Sequence, residues 1–306
     1  EKIDLAHFHF GGNYAWGNRL FNVCPVVQLG RLGTPCLATN HGVFGLWEGY
    51  IGAQRSWLTK AALLPPAWGS KLQMLHHLRA EVAVSRADYR TLRRRYWPAR
   101  GKFRQIYHSR IHEHEPAPER ERKKIILCAG TLGPRKGQPY LARAFAPIAR
   151  EFPEWKLVFI GRPGDPQTTA ELEDLLRGPA LRQQAEWRRA CSDAELKEWL
   201  LASEIFAMPS MHEGLGLSLQ EALYYGCACL ATRIGGIPDL IQEGDNGILV
   251  ARANVDEMSA ALKQLMSDDA LRGRFRARAR ASVLEKSMTA ERMVARHEDL
   301  YRALLP

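Results

Sequence analysis

Short apolar runs rich in β-branched and aromatic side chains alternate along the chain with stretches in which apolar positions recur at helical spacing. That alternation predicts βαβ units and parallel sheets. In residues 1–111 the strand candidates are Ile3–Phe10, Pro35–Thr39, Glu81–Ser85 and Phe103–Tyr107. Helical patterns cover Asn18–Leu32, Ser70–Leu78 and Arg86–Tyr96. Residues 112–123 lie in the polar, Pro-containing run HEHEPAPERERKK, which has no apolar period and reads as a linker. His108, His112 and His114 there fit no metal-ligand spacing and read as solvated.

From residue 124 to 290 the alternation restarts. Ile125–Ala129 is a strand, Gly130–Gly137 a Gly-rich turn and Tyr140–Glu151 a helix, followed by a strand at Trp155–Gly161. Ala170–Leu176 and Asp193–Leu200 have helical patterns. Strands at Ile205–Met208, Ala228–Thr232 and Gly247–Val250 bracket helices at Ser218–Tyr225 and Pro238–Gln242. Helices then fill Val255–Met266 and much of Leu271–Leu305, with residues 291–306 forming a terminal helix. The first half offers four strands, fewer than a doubly wound domain usually carries, so a truncated N-terminal domain is expected.

Composition narrows the class. At 306 residues, 46% hydrophobic and 25% charged, the chain suits a globular protein of two domains. No apolar run approaches the roughly 20 residues of a membrane-spanning helix. The opening Glu1–Leu5 is charged where a signal peptide is apolar. Six scattered cysteines form no C-x-x-C pair and read as buried thiols of a cytoplasmic protein. The net charge of +10 is uneven: eleven Lys or Arg between Lys71 and Arg110 face only Glu81 and Asp88. Such a stretch suits nucleic acid, an anionic membrane or a phosphorylated ligand, or is simply a solvated face.

Three features carry chemistry. The first is Pro209–Leu223, PSMHEGLGLSLQEAL, which follows a strand and opens a helix. Its small residues let backbone approach a ligand, and a helix N-terminus suits a diphosphate. Glu213 reaches from the loop and Glu221 from the helix, where a carboxylate accepts hydrogen bonds from a pair of hydroxyls. Alternatively, Ser218-Leu219-Gln220-Glu221 is a capping box in which Glu221 serves only backbone donors. The second feature, Gly130–Gly137, sets Arg135 and Lys136 in a strand-to-helix turn, ready to neutralise a leaving diphosphate, or merely exposed. It is not a P-loop, and no G-x-G-x-x-G opens a dinucleotide fold. The third is His41, at the end of a strand, where open α/β sheets bind ligands. His7 and His9 share a strand face and read as structural or cleft-lining.

These features, in this order, resemble the GT4-type retaining glycosyltransferases, most specifically over Ile125–Pro306. GTLGPRKG resembles that family's donor-phosphate turn, PSMHEGLGLSLQEALYYGCACLAT its E-x7-E block and GGIPDLIQEGDNGILV the continuation. The resemblance implies an α/β GT-B fold, two Rossmann-like domains facing a cleft. It implies a nucleotide-sugar donor bound by Arg135, Lys136 and the backbone of Gly214, Leu215 and Gly216. Glu213 would hold the transferred sugar, Glu221 the ribose hydroxyls, and His41 the donor sugar from the facing domain. It further implies retention of configuration, no metal or other cofactor, a glycan or lipid-linked acceptor, and no nucleic acid partner. The Lys71–Arg110 stretch would then meet acceptor phosphates or an anionic inner-membrane face. Leu215 departs from the family's frequent Phe, and Thr131 from its frequent Arg. The competing functions are an epimerase or phosphorylase on the same fold, and a non-catalytic scaffold.

Overall fold

The structure, a computed structural model, describes residues 3–11, 24–43, 56–114 and 120–305. The chain divides into two compact units: Glu1–His108 with Glu291–Pro306, and Ser109–Ala290.

The first unit is built on a four-stranded parallel sheet in the order β1-β2-β3-β4: β1 (Ala6–Phe10), β2 (Cys36–Asn40), β3 (Ala80–Ala83) and β4 (Phe103–Gln105). Both central strands are buried along their whole length, as a parallel sheet covered on two faces requires. One face packs Val26, Val27, Met74, Leu75, Leu92 and Tyr96 from α1 (Pro25–Arg31), α2 (Trp57–His77), α3 (Arg86–Arg95) and the residue after it. The other face carries Leu37, Val82 and Ile106 against Met293, Leu300 and Tyr301 of the last helix, Ala290–Leu304.

Two helices differ from the expectation. Only Pro25–Arg31 of the Asn18–Leu32 pattern is seen as helix, because residues 12–23 lie outside the described ones. The helix expected at Ser70–Leu78 starts thirteen residues earlier, at Trp57. Pro65 and Pro66 hide its first half, since proline lacks the N–H that a helix interior uses. Ser56 caps it through the Thr59 N–H, and Lys102 Nζ donates to the carbonyls of Leu75, His76 and Leu78 at its end. Among the described residues, one full ion pair is buried in this unit. Lys71 Nζ lies 2.7 Å from Glu81 Oε2, and Asn40 Nδ2 donates to Glu81 Oε1 at 3.2 Å.

The second unit holds a six-stranded parallel sheet in the order β10-β9-β8-β5-β6-β7. Its strands are β5 (Lys123–Ala129), β6 (Lys156–Ile160), β7 (Ala185–Arg188), β8 (Ser203–Met208), β9 (Ala228–Thr232) and β10 (Gly247–Val250). The chain builds outward from β5 to β7, then returns to lay β8 on the other side of β5. That reversal makes β5/β8 the topological switch point, where open α/β sheets bind ligands. The helices are α4 (Gln138–Phe145), α5 (Pro166–Arg177), α6 (Asp193–Ala202), α7 (Leu217–Tyr224), α8 (Ile237–Leu240), α9 (Val255–Ser267) and α10 (Asp269–Glu285), with Ala290–Leu304 as α11. Phe145, Trp155, Leu157, Phe159, Leu262 and Phe275 are central to its apolar core.

Strand β7 is absent from the expected elements. Its sequence, AEWR, exposes Glu186 and Arg188 at the sheet edge and half-buries the other two, so no apolar run marks it. The second unit begins before the expected linker at 112–123, and its first strand takes in the linker's last residue. Ser109 already belongs to the second unit, where its hydroxyl lies 3.0 Å from both Gln220 Oε1 and the Met288 carbonyl, and β5 begins at Lys123. Five of the six cysteines are buried free thiols. Burial pushes Cys128 up to about 12 and Cys227 up to about 11, and raises Cys229 well above the ordinary thiol value.

Candidate active site

Two loops meet at the switch point of the second unit. One, Gly130–Gly137, leaves β5; the other, Pro209–Gly216, leaves its neighbour β8. Backbone joins them: the Arg135 carbonyl accepts from Met211 N–H at 2.7 Å and from His212 N–H at 3.3 Å. The fit permits no Cβ at Gly137, which has φ +68°, because that atom would sit 2.1 Å from the Pro209 carbonyl oxygen. Gly235 (φ +46°) backs the second loop in the same way, its absent Cβ falling 1.9 Å from the Glu213 carbonyl oxygen. Gln138, buried at the start of α4, holds the first loop by donating from Nε2 to the carbonyls of Gly130 and Thr131, each at 3.3 Å.

This backbone brings Lys136 and Glu213 together as an ion pair, Nζ to Oε1, with both side chains partly withdrawn from solvent. Ser210 Oγ donates to the same carboxylate oxygen at 3.2 Å. Arg135 stands exposed beside Lys136. Helix α7 begins immediately after the second loop. Gly216, at φ +97°, is its N-cap and supplies no side-chain hydrogen bond, so the first-turn N–H groups face the site without a side-chain cap. Leu215 is buried.

Because Gly216 is the N-cap, Ser218 falls within the helix, where its hydroxyl lies 3.4 Å from the Ala129 carbonyl at the end of β5. The capping box expected at Ser218–Glu221 is therefore not formed. Glu221 instead points at Arg110, whose Nε lies 3.8 Å from Glu221 Oε1 and whose Nη2 lies 3.2 Å from Asp193 Oδ2. Arg110, Asp193, Lys197 and Glu221 help line a cavity of about 280 Å³. Sequence reading missed Arg110 and Asp193, which lie 111 and 28 residues from Glu221 and meet it only through folding. The nearest local signal was Ser192-Asp193-Ala194-Glu195, which does form a capping box and so starts α6 beside the cavity.

His41 belongs to the first unit. It follows β2, with its N–H donating to the Phe10 carbonyl at 2.8 Å. A row of histidines surrounds it. His9 Nδ1 lies 3.0 Å from His41 Nε2, the His9 and His7 rings lie tilted to each other at 4.4 Å, His297 stacks on His7 at 5.5 Å, and His108 meets His41 edge-on at 4.9 Å. His7 is also held between Tyr301 Oη (2.7 Å) and Thr39 Oγ1 (2.8 Å). Burial first, and then the neighbouring imidazoles, lower His7 and His41 to about 4, so these two are neutral near pH 7. His108, expected in a solvated linker, is thus part of this row. Among the described residues no group of His, Cys, Asp and Glu has the arrangement to hold a metal ion.

The description "Glycosyl transferases group 1" matches residues 109–282, more than half of the chain. The chain belongs to this family. Among the relatives of this chain is the N-acetyl-alpha-D-glucosaminyl L-malate synthase of Bacillus anthracis. It is 29% identical over 185 residues, or 60% of this chain and 47% of the relative. The GDP-mannose-dependent alpha-(1-6)-phosphatidylinositol monomannoside mannosyltransferase of Mycolicibacterium smegmatis is 28% identical over 153 residues, or 48% of this chain and 39% of the relative. The match thus spans less than half the length of these curated relatives. Two solved structures share the GT-B fold. Sucrose-phosphate synthase from Thermosynechococcus elongatus has TM-score 0.76 and 20% identity, covering 98% of this chain and 73% of that one. HepE from Anabaena in complex with UDP has TM-score 0.75 and 15% identity, covering 98% and 79%.

Proposed function

We propose that this glycosyltransferase takes its sugar from a nucleoside-diphosphate sugar bound at the β5/β8 switch point. It hands the sugar, with retention of configuration and without a metal, to a glycan or lipid-linked acceptor. The observation that carries the donor assignment is the convergence of the Arg135-Lys136 turn, Glu213, the open N-terminus of α7 and Glu221 on one sheet edge. Arg135, Lys136 and the helix N-terminus supply positive charge where a diphosphate departs, the largest electrostatic demand of the reaction. Lys136 and Glu213 neutralise each other in the unliganded site, and the donor divides them. The diphosphate takes the ammonium, and the sugar hydroxyls take the carboxylate. Glu221 accepts the two ribose hydroxyls, with Arg110 and Asp193 lining the cavity beside it. In the transfer the bond from the anomeric carbon to the phosphate oxygen breaks. The acceptor oxygen bonds that carbon, and the acceptor's hydroxyl proton passes to the departing diphosphate. Retention and the acceptor class rest on the family resemblance alone.

A thermal-shift panel of UDP, GDP and ADP tests this on the chain and its Glu221→Ala variant. Stabilisation by one nucleotide, lost in the variant, is the expected result and names the donor base. Stabilisation by none of them would remove the donor site and favour a scaffold.

A further inference from the structure

The second unit holds another cavity, of about 700 Å³, at the amino edge of its sheet. Arg122, which precedes β5, and the turn Tyr224–Gly226, which ends α7, help line it. So do Gly273, Arg276, Ala277 and Arg280 of α10, at the i, i+3, i+4, i+7 spacing of a single helix face. The Gly130–Gly137 turn leaves the opposite, carboxyl end of β5, roughly 20 Å away along that strand. The described lining carries four arginines, Arg120, Arg122, Arg276 and Arg280, and one carboxylate, Glu121. Main chain fixes Arg122: its Nη1 donates to the carbonyls of Leu200 at 3.1 Å and Ser203 at 2.6 Å, and its Nη2 to that of Tyr225. Gly226, at φ +78°, makes room for it, since a Cβ there would lie 3.1 Å from that Nη2. Arg280 lies over the Tyr224 ring, 4.4 Å from its centre, and donates to Tyr224 Oη at 2.9 Å. Glu204 Oε2 serves both Arg276 Nη1 and the buried Arg272 Nε, each at 3.3 Å. Arg120 pairs with Glu198, both half-exposed. The guanidiniums are thus set in place by neighbouring groups, while positive charge stays in excess among the described residues of the cavity.

We propose that this cavity binds a phosphorylated metabolite, its phosphate dianion held by Arg276, Arg280 and Arg120. A guanidinium presents paired N–H donors that match two oxygens of a phosphate. Arginines already ordered by rings and shared carboxylates lose little freedom when such a group arrives. The exposed Arg120–Glu198 pair is weak and is readily divided by a doubly charged ligand. The volume lies in the range of small-molecule pockets and exceeds what a bare phosphate fills. Gly273 fits the same reading. A glycine inside a helix costs stability, and nothing lies within 4 Å of where its Cβ would be, so packing does not require it. Its missing side chain keeps that face of the cavity clear.

The test is titration calorimetry of the whole chain with glucose 6-phosphate, ribose 5-phosphate and glycerol 3-phosphate, beside glucose, ribose, glycerol and inorganic phosphate. One of the phosphorylated compounds should bind at least about tenfold tighter than its parent alcohol and than inorganic phosphate. Gly273→Glu sets a carboxylate at the cavity without removing an arginine, and should weaken that binding by at least about tenfold. Gly273→Gln, of the same size without the charge, should stay within about threefold of the unaltered chain. Both replace a helical glycine by a better helix former at an open position, so neither should lower the thermal midpoint. Arg276→Gln should weaken binding as well, and Lys136→Gln, in the donor turn, should leave it unchanged. The proposal falls if none of the phosphorylated compounds binds, if Gly273→Glu binds like the unaltered chain, or if Gly273→Gln loses as much as Gly273→Glu. Equal affinity for inorganic phosphate would overturn the metabolite, and loss of binding in Lys136→Gln would move the phosphate to the donor turn. Nucleotide-induced stabilisation is read without these compounds, so failure of either reading leaves the other standing.

Discussion

The interior of the first sheet and the rim of the second hold their charges in opposite ways. In the first unit a full ion pair, Lys71–Glu81, is sealed inside with both side chains nearly inaccessible, and His7 and His41 are held neutral. In the second unit a nearly sealed pair, Arg272–Glu204, sits at the start of β8, while the charges at the carboxyl ends of β5 and β8 stand at the rim as partly exposed pairs, Lys136–Glu213 and Arg110 with Glu221 and Asp193. A sealed pair has no competitor for its partners and acts as a structural link. A rim pair needs only a better-matched ligand to be divided, since water and ligand can replace the contacts it loses. The same chemistry of opposite charges thus fixes one unit and leaves the other open to binding.

The comparison is broken most forcefully at the sealed pair. Lys71→Met leaves the Glu81 carboxylate buried and unpaired, and should destabilise the first unit by roughly 3–5 kcal/mol in urea denaturation. Nucleotide-induced stabilisation of the second unit should survive it below the transition. At the rim the effect should be catalytic instead. Glu213→Ala is expected to lower transfer by about 10²–10³-fold, a cost of the size seen when one preorganised transition-state contact is removed. Its thermal midpoint should stay close to that of the unaltered chain. Full activity in a donor-turnover assay would sink the role given to this carboxylate.

The smallest expected effect sharpens the contrast through pH. His7 and His41 bind protons near 6.5 when unfolded and near 4 when folded. Between those values the unfolded chain holds more protons, so the first unit should lose stability as pH falls from about 6.5 to about 4, with no further loss from these groups below that. His41→Gln should flatten that slope when the thermal midpoint is followed across the window.

Much of the second unit was legible because its strands are apolar runs bounded by glycine. Ala228–Thr232 and Gly247–Val250 stand where they were read. The edge strand Ala185–Arg188 was not, because half of its side chains face water. The paired turn and loop were legible as residue types, but the start of α7 was not. A left-handed glycine at 216 caps it, and a Ser-x-x-Glu pattern two residues on imitates a cap that does not form. Arg110 carried no local signal at all. Its place beside Glu221 comes from folding that joins the beginning of the second unit to its middle. In the first unit, the period of α3 was visible in the sequence. That both nearby acids, Glu81 and Asp88, are buried is a property of packing, and only the structure reveals it.

The buried thiols give the molecule its own clocks. Cys24 and Cys36 lie in the first unit, and Cys128, Cys227 and Cys229 in the second, all sealed and none disulfide-bonded. A thiol reagent reaches them only when the surrounding unit opens, and burial meanwhile keeps the second unit's thiols protonated and unreactive. Labelling, resolved by peptide, would therefore time the opening of each unit separately, without adding a probe to either.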